Sequence, residues 1–233
     1  MAERLIVLDT ETTGLNAKLG DRVIEIGCVE LFSRRVTDRN FHTYLNPERD
    51  IEEGAAKVHG LTREFLADKP RFAEIAGDFL DSVRDAELVI HNASFDVEFL
   101  DQELELAGHG RLAEHTAAVT DTLALARELH PGKRNSLDAL CERYGVDNAH
   151  RTLHGALLDA RLLAEVYLAM TRGQDSLAMD LEDAPPPVAG GPPRFDTSKL
   201  VVVRASAAEA AAHEKLLDGM QKEAKGGIVW RRG

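Results

Sequence analysis

Cysteines and long apolar runs are scarce in this sequence, and each shortage excludes a class of protein. The 233 residues include two cysteines, Cys28 and Cys141, which are too few for a disulfide-stabilised scaffold. We interpret both as free thiols of a cytoplasmic protein. No run of about 18 apolar residues is present, which excludes a membrane-spanning helix. The first residues pass directly into a short apolar run and an acidic motif, unlike a secretory signal.

Basic residues are also in the minority. The chain has 28 Lys and Arg against 40 Asp and Glu, a formal net charge of −12. This balance excludes a protein that holds nucleic acid mainly through bulk positive charge. Hydrophobic residues make up 44% of the chain, which is enough for a sizeable core and excludes global disorder.

Proline marks a boundary in the chain, because five of the eight prolines fall between residues 185 and 193. Proline lacks a backbone donor, so we interpret residues 184–193 as a flexible linker. Residues 1–193 carry 20 basic and 35 acidic residues, net −15, whereas residues 194–233 carry eight and five, net +3. The composition therefore predicts an acidic body joined to a chemically different tail.

Apolar patterning predicts an α/β fold with a mixed sheet in the body. Short apolar or alternating runs predict strands at Leu5–Leu8, Arg22–Phe32, Asn40–Leu45 and Leu88–Ile90. Helical spacing predicts helices at Arg71–Arg84, Phe95–Leu106, Asp121–Leu129, Ser136–Tyr144 and Leu157–Met170. In the tail, we predict a strand at Leu200–Val203 and a helix at Ala207–Ala224.

Two carboxylates stand close together at the end of the first strand. Asp9 and Glu11 share one face, because alternate side chains of a strand point the same way. Such neighbours repel each other unless a cation or a proton lies between them. Taken alone, the pair is equally well explained as two solvated acids at a strand end.

A third acid, Asp96, follows the strand Leu88–Ile90. We expect Ser94 to cap the next helix and Asp96 to lie in its first turn, where the helix dipole alone favours an acid. His91 and Asn92 are interpreted as structural residues of the corner between strand and helix.

A fourth acid, Asp159, lies among leucines of the last long helix, where an unpaired charge is costly. Five residues separate it from His154, so the two cannot share one face of a regular helix. They converge if His154 lies in the preceding loop, freed by Gly155, with Asp159 one turn inside the helix. A single histidine at such a position is more often a hydrogen-bonded loop residue.

Together these segments predict a metal-dependent hydrolase. Carboxylate oxygens suit Mg²⁺ or Mn²⁺, and two such ions stabilise the attacking and leaving oxygens of phosphodiester hydrolysis. A histidine with a pKa of about 6.5 accepts a proton from the attacking water near neutral pH. The candidate residues are Asp9, Glu11, Asp96, His154 and Asp159.

These motifs resemble those of the DEDDh 3′→5′ exonucleases, which have a ribonuclease H-like fold with a mixed central sheet flanked by helices. The five candidate residues match the family in order and context. Residues 57–62, 131–141 and 151–154 are similar to the proofreading subunits of bacterial replicative DNA polymerases. The resemblance covers residues 4–172. It implies that residues 1–172 form an exonuclease domain that removes mispaired 3′-terminal nucleotides.

The resemblance also implies a role for each matching residue. Asp9 bridges two metal ions, Glu11 and Asp159 complete their shell, and Asp96 holds the second ion partly through water. His154 is the general base for the attacking water.

Residues outside these motifs are implied to contact the terminal nucleotide: Thr12, Leu15, Val58 and His59. For Val58 and His59, a turn packed over the core is an equal alternative. Lys133 and Arg134 form a basic turn that is either a phosphate contact or simply an exposed turn.

Partners are implied for the segments that follow the domain. Within residues 173–183, a short peptide resembles those that bind the bacterial sliding clamp, through Gln174, Ser176, Leu177 and Met179. The tail, residues 194–233, is implied to bind the polymerising alpha subunit, with Trp230 as a candidate anchor. A small third subunit is a further candidate partner.

Two other functions remain open. The same chemistry on RNA ends is one, although a clamp-like peptide and a linked tail have no evident use there. A replication adaptor without activity is the other, and the five intact candidate residues argue against it.

Overall fold

The computed structural model describes residues 4–172 and 205–223. By its internal contacts the chain divides into two units, Met1–Asp183 and Ala184–Gly233. Several predictions concern residues outside the described ranges: the clamp-like peptide at 174–179, the linker at 184–193, the strand Leu200–Val203 and Trp230.

The first unit is built on one mixed sheet of five strands in the order β3-β2-β1-β4-β5. The strands are β1 (Arg4–Thr12), β2 (Val23–Phe32), β3 (Arg35–Tyr44), β4 (Glu87–Ile90) and β5 (Ala118–Asp121). β2 is antiparallel to both β1 and β3, whereas β4 is parallel to both β1 and β5. The predicted mixed sheet is therefore confirmed.

Helices cover both faces of this sheet. They are α1 (Glu53–His59), α2 (Arg63–Leu66), α3 (Phe72–Val83), α4 (Ala93–Leu106), α5 (Thr122–Leu129), α6 (Leu137–Tyr144) and α7 (Ala156–Met170). Short 3-10 turns lie at Ala17–Leu19 and Leu112–Glu114.

The alternation of β1 divides the core into two layers. Ile6 and Leu8 pack with residues of α3 and α4, whereas Leu5 and Val7 pack with residues of α6 and α7. Since β1 is buried on both faces, its apolar run is continuous, as is usual for a strand sandwiched between helices. The central strand is thereby fixed in position, and with it the acids at its end.

The two cysteines lie in opposite layers of this core. Cys28 on β2 belongs to the α3 and α4 layer, and Cys141 on α6 belongs to the other. Both are buried free thiols, as predicted.

Several boundaries differ from prediction. α4 begins at Ala93, so Ser94 lies inside the helix, and Asn92 takes the cap position with a left-handed φ of +64° and no side-chain cap bond. The edge strand β3 begins five residues earlier than predicted, at Arg35. The predicted helix start at Asp121 is the last residue of β5, and α5 begins at Thr122.

In the second unit, the described residues form one helix, α8 (Ala207–Glu223), which confirms the helix predicted there. A reciprocal pair of bonds caps it: Glu209 Oε2 accepts from the Ser206 N–H at 2.8 Å, and Ser206 Oγ accepts from the Glu209 N–H at 3.3 Å. Leu216 and Met220 are both exposed. Across all described residues, no helix combines the length and hydropathy needed to cross a membrane.

Candidate active site

One open cavity of about 910 Å³ adjoins the ends of β1 and β4. Its wall includes all five residues that the sequence predicts for chemistry: Asp9, Glu11, Asp96, His154 and Asp159. Three stretches that are far apart in the sequence therefore meet at one place. Their roles remain predictions, but their convergence is a property of the fold.

β1 supplies the first two acids. Asp9 and Glu11 lie opposite Gly27 and Glu25 of β2 in the antiparallel register. Burial raises the pKa of Glu11 to about 8, with further contributions from the charges of Asp159, Glu25 and Asp96. Burial also raises the pKa of Asp9 well above its ordinary value, as do the charges of the neighbouring acids.

Asp96 reaches β1 from the first turn of α4. Its Oδ1 accepts two bonds from Thr10, one from the backbone N–H at 3.1 Å and one from the hydroxyl at 2.7 Å. Burial raises the pKa of Asp96 to about 7 although the Thr10 hydroxyl opposes the shift. The α4 start is held by His91, whose Nδ1 lies 2.9 Å from Thr122 Oγ1, and by the Asn92 N–H, which donates to Asp121 at 3.1 Å. His91 and Asn92 thus occupy the corner where the sequence places them.

Asp159 depends on a close approach between α7 and the sheet. A Cβ on Gly27 would overlap the backbone of Ala156 and Leu157, so the start of α7 packs directly on β2 beside Asp9. Asp159 lies in this first turn and is 3% exposed. Sequence reasoning did not single out Gly27; a glycine inside an apolar strand is the signal for such an approach.

Arg151 is a further site residue that sequence reasoning did not single out. Its Nε donates to Asp159 Oδ1 at 2.6 Å and its Nη2 to Asp159 Oδ2 at 2.5 Å, while its Nη1 donates to Asp138 at 2.7 Å. Its Nη2 also lies 3.0 Å from His154 Nδ1. A buried aspartate in the following helix was the available signal, since such a charge requires a partner.

His154 lies in the loop before α7, and Gly155 is the last residue before the helix. Its backbone N–H donates to the Val58 carbonyl at 3.1 Å, which fixes the loop against α1. Burial lowers the pKa of His154, and the Arg151 charge lowers it further. Both effects favour the neutral imidazole, which is the form that a general base requires.

The donor set fits divalent cations. Glu11, His154 and Asp159 each offer a ligand atom, and these atoms lie within 4.8 Å of one another. Burial is the main cause that raises the pKa values of Asp9, Glu11 and Asp96, so the charged forms of these acids are disfavoured without a nearby cation. A cation bound among them removes this imbalance.

The predicted nucleotide contacts are more dispersed. Leu15 lines the cavity and is 80% exposed, which suits an apolar surface for a base. The Thr12 hydroxyl is buried and donates to the Gly14 carbonyl at 2.6 Å. Val58 and His59 end α1, and neither lines the cavity, although the Val58 carbonyl holds His154. His59 is buried and its Nε2 has no hydrogen-bond partner.

Two exposed basic residues also line the cavity. Arg127 and Lys133 have no carboxylate partner among the described residues. Arg134 is also exposed, but it lies 4.0 Å from Glu142 and does not line the cavity. The wall of the cavity therefore carries basic as well as acidic side chains.

Comparison with known proteins identifies the family to which a chain with this site belongs. A family model described as "Exonuclease" matches residues 6–167. The chain belongs to the exonuclease family. It is 53% identical to the DNA polymerase III subunit epsilon of Escherichia coli strain K12, over 98% of this chain and 97% of that protein.

Solved structures agree with this membership. An exonuclease X structure in complex with 5′ overhanging duplex DNA superposes with a TM-score of 0.59 at 25% identity, covering 73% of this exonuclease and 93% of that chain. Escherichia coli exonuclease I with a dT13 oligonucleotide shares the fold, with a TM-score of 0.64 at 20% identity, over 77% of this chain and 43% of that one. The predicted family and ribonuclease H-like fold are confirmed, and exonucleases of this family typically use divalent metal ions.

Proposed function

We propose that this exonuclease is the proofreading epsilon subunit of a bacterial DNA polymerase III, which removes mispaired nucleotides from the 3′ end of DNA. The observation that carries the proposal is the convergence of four acids and His154, from three separate segments, in one cavity. The near full-length similarity to a subunit of that name supports the biological role.

We propose that two divalent cations, Mg²⁺ or Mn²⁺, bind among the acids. Asp9, Glu11, Asp96 and Asp159 supply oxygen ligands, the type that these ions prefer. Bound there, such ions supply charge stabilisation for the phosphorane-like transition state of hydrolysis. The raised carboxyl pKa values and the closeness of Glu11 and Asp159 support this assignment.

The protein's own contribution to the step is proton transfer and positioning. His154 accepts a proton from the water that attacks the terminal phosphorus. The bond from phosphorus to the 3′ oxygen of the preceding nucleotide breaks, which leaves a 3′-hydroxyl on the strand and releases a 5′-mononucleotide. Exposed Leu15 supplies the apolar contact to the terminal base. Thr12, Val58 and His59 are the further nucleotide contacts that the family resemblance implies.

Product analysis on a 3′-mismatched DNA primer tests this function. We expect 5′-mononucleotides to be released one at a time from the 3′ end, only when Mg²⁺ or Mn²⁺ is present. A 3′-paired primer and a short RNA of the same sequence serve as matched substrates, and the mispaired DNA should be hydrolysed fastest. Preference for RNA would favour the ribonuclease alternative, and an unchanged rate in Asp9→Ala would favour the inactive adaptor.

We further propose that residues after the nuclease domain attach it to the replication machinery. The tail at 194–233 binds the polymerising alpha subunit, the peptide at 174–179 binds the sliding clamp, and a small third subunit is an additional partner. The exposed Leu216 and Met220 of α8 support a tail that contacts another protein. Tethering also explains an acidic nuclease, because a linked polymerase supplies the DNA end at a high effective concentration.

Truncation tests the attachment separately from the chemistry. A chain ending at residue 185 should hydrolyse single-stranded DNA at the full rate but no longer co-elute with the alpha subunit. The matched control is the full chain with Leu177→Ala, which should keep alpha binding and lose affinity for the clamp. Full alpha binding by the truncated chain would contradict the assignment of the tail.

A further inference from the structure

The guanidinium of Arg151 is buried against the acid cluster. The side chains of Arg151 and Asp159 are 6% and 3% exposed, and two parallel bonds join them. A charge buried to this extent is tolerated only when it is paired and hydrogen-bonded. Arg151 therefore provides positive charge to a cluster that otherwise consists of carboxylates.

Arg151 also engages the atoms that the reaction needs. Arginine only donates hydrogen bonds, so His154 Nδ1 is the acceptor of the 3.0 Å contact with Nη2. Both oxygens of Asp159 accept from the same guanidinium. Glu11, His154 and Asp159 are the groups whose ligand atoms lie within 4.8 Å, so Arg151 occupies two of the three.

We propose that Arg151 is the internal counter-ion of the metal-free site: it holds Asp159 and His154 until divalent ions bind, and ion binding releases both for hydrolysis. This inference rests on the proposed metal-dependent function. It assigns a role to Arg151, which is not one of the five candidate residues.

Asp138 allows such a release. It lies in the first turn of α6, lines the same cavity and accepts from Arg151 Nη1 at 2.7 Å. Its side chain is exposed, so it is outside the buried acid cluster. A guanidinium that leaves Asp159 keeps its bond to Asp138 and gains water, and no unpaired charge is left behind in the protein.

Thermal melting of the full chain in EDTA and in saturating Mn²⁺, together with calorimetric Mn²⁺ titration, tests the proposal. In EDTA, Arg151→Met should melt roughly 5–10 °C below the wild type, because the buried acids lose their counter-ion. In Mn²⁺ this deficit should at least halve, because the ion replaces the missing charge. Mn²⁺ should also bind Arg151→Met on the order of fivefold more tightly, since no guanidinium competes for Asp159.

Two variants control the experiment. Arg143 is a half-buried arginine of α6 that bonds to Asn135 and to the Arg134 carbonyl, so Arg143→Met should show the same deficit in EDTA and in Mn²⁺. Arg151→Lys keeps the charge but lacks the fork that reaches both oxygens, and its deficit should be intermediate. If Arg151→Met folds in neither condition, Arg151→Lys is the variant to measure. If Arg151→Met folds only in Mn²⁺, this is the expected result in its extreme form.

An Arg151→Met deficit that is equal in both conditions, or weaker Mn²⁺ binding, would overturn the proposal and leave Arg151 a fixed structural residue. A wild type whose melting temperature ignores Mn²⁺ would instead refute the metal-dependent function itself. The two failures are therefore distinguishable.

Discussion

Two helix starts bring an aspartate to the same cavity, and they hold it in different ways. Asp96, in the first turn of α4, accepts only neutral donors from Thr10. Asp159, in the first turn of α7, is paired with the buried cation Arg151. Both aspartates are almost fully buried, so the difference lies in their partners rather than in their exposure.

The comparison shows how charge is distributed in the cluster. Neutral donors do not balance the burial of Asp96, and its pKa rises to about 7. At the α7 start a full positive charge is present, and it also lowers the pKa of Asp9 and Glu11 against the larger effects that raise them. Among the protein's own side chains, the positive charge of Arg151 therefore pairs directly with Asp159 and not with Asp96.

The largest difference between the two aspartates should appear when each carboxylate is replaced in turn. We expect Asp159→Asn to lower the free energy of unfolding without metal by about 3 kcal/mol, because Arg151 loses its buried partner and keeps only Asp138. Asp96→Asn should be close to neutral at pH 8, since the amide oxygen still accepts from Thr10 and a disfavoured charge disappears. Urea unfolding in EDTA measures both. Equal losses of stability in the two variants would show that the partners do not matter.

The close approach at Gly27 should have the next largest effect. Gly27→Ala inserts a methyl group where the backbone of α7 lies, and we expect a loss of about 2–3 kcal/mol with displacement of Asp159 and loss of nuclease activity. Gly77→Ala is the matched control, because a methyl group there meets nothing within 4 Å and a glycine inside a helix is unfavourable. That variant should gain up to about 1 kcal/mol and keep its activity. An active Gly27→Ala enzyme would show that the close contact between α7 and β2 is not needed to position Asp159.

The sequence predicts the five candidate residues of this cavity better than it predicts the residues that hold them in position. Asp9 and Glu11 follow an apolar run, and Asp159 interrupts a leucine-rich helix, so each is visible as an acid in an apolar setting. Gly27 acts through a contact distant in sequence, and its importance emerges only from the packing of α7 on β2. Arg151 lies within eight residues of Asp159, but no regular periodicity relates a loop residue to the following helix, so only the need of Asp159 for a partner points to it.

The short helices and the short edge strand are also not predicted from the sequence. α1 and α2 have seven and four residues, which is too few for helical periodicity to repeat. β5 is an edge strand of four residues with an exposed beginning, so it lacks the apolar alternation that marks β1 and β2. Asn92 caps α4 through its backbone conformation alone, which is why the Ser94 prediction was wrong.

The pH dependence of stability should distinguish Asp159, which is paired with a cation, from acids of the cluster such as Glu11 that have no such partner in the described part of the chain. Glu11 has a folded pKa of about 8 against about 4.3 when unfolded, so its contribution is fully present below about pH 4 and is lost as pH rises through 8. Without metal, the melting temperature of the wild type relative to Glu11→Gln should therefore fall between pH 5 and 8. Saturating Mg²⁺ should abolish this fall, and a difference that is constant with pH would contradict the raised pKa.

The smallest effects are expected at the two basic residues of the cavity wall. Arg127 and Lys133 line the cavity and lack carboxylate partners among the described residues, so a phosphate of the bound strand is a suitable partner. We expect Lys133→Ala and Arg127→Ala each to raise the KM for an oligonucleotide about two- to fivefold and to weaken its salt dependence, with kcat unchanged. A dinucleotide, which has one phosphodiester, should show no change, nor should Arg84→Ala, which removes an exposed cation outside the cavity. If dinucleotide and oligonucleotide respond alike, Arg127 and Lys133 act on the scissile phosphate itself, and their assignment to binding of the strand would have to be abandoned.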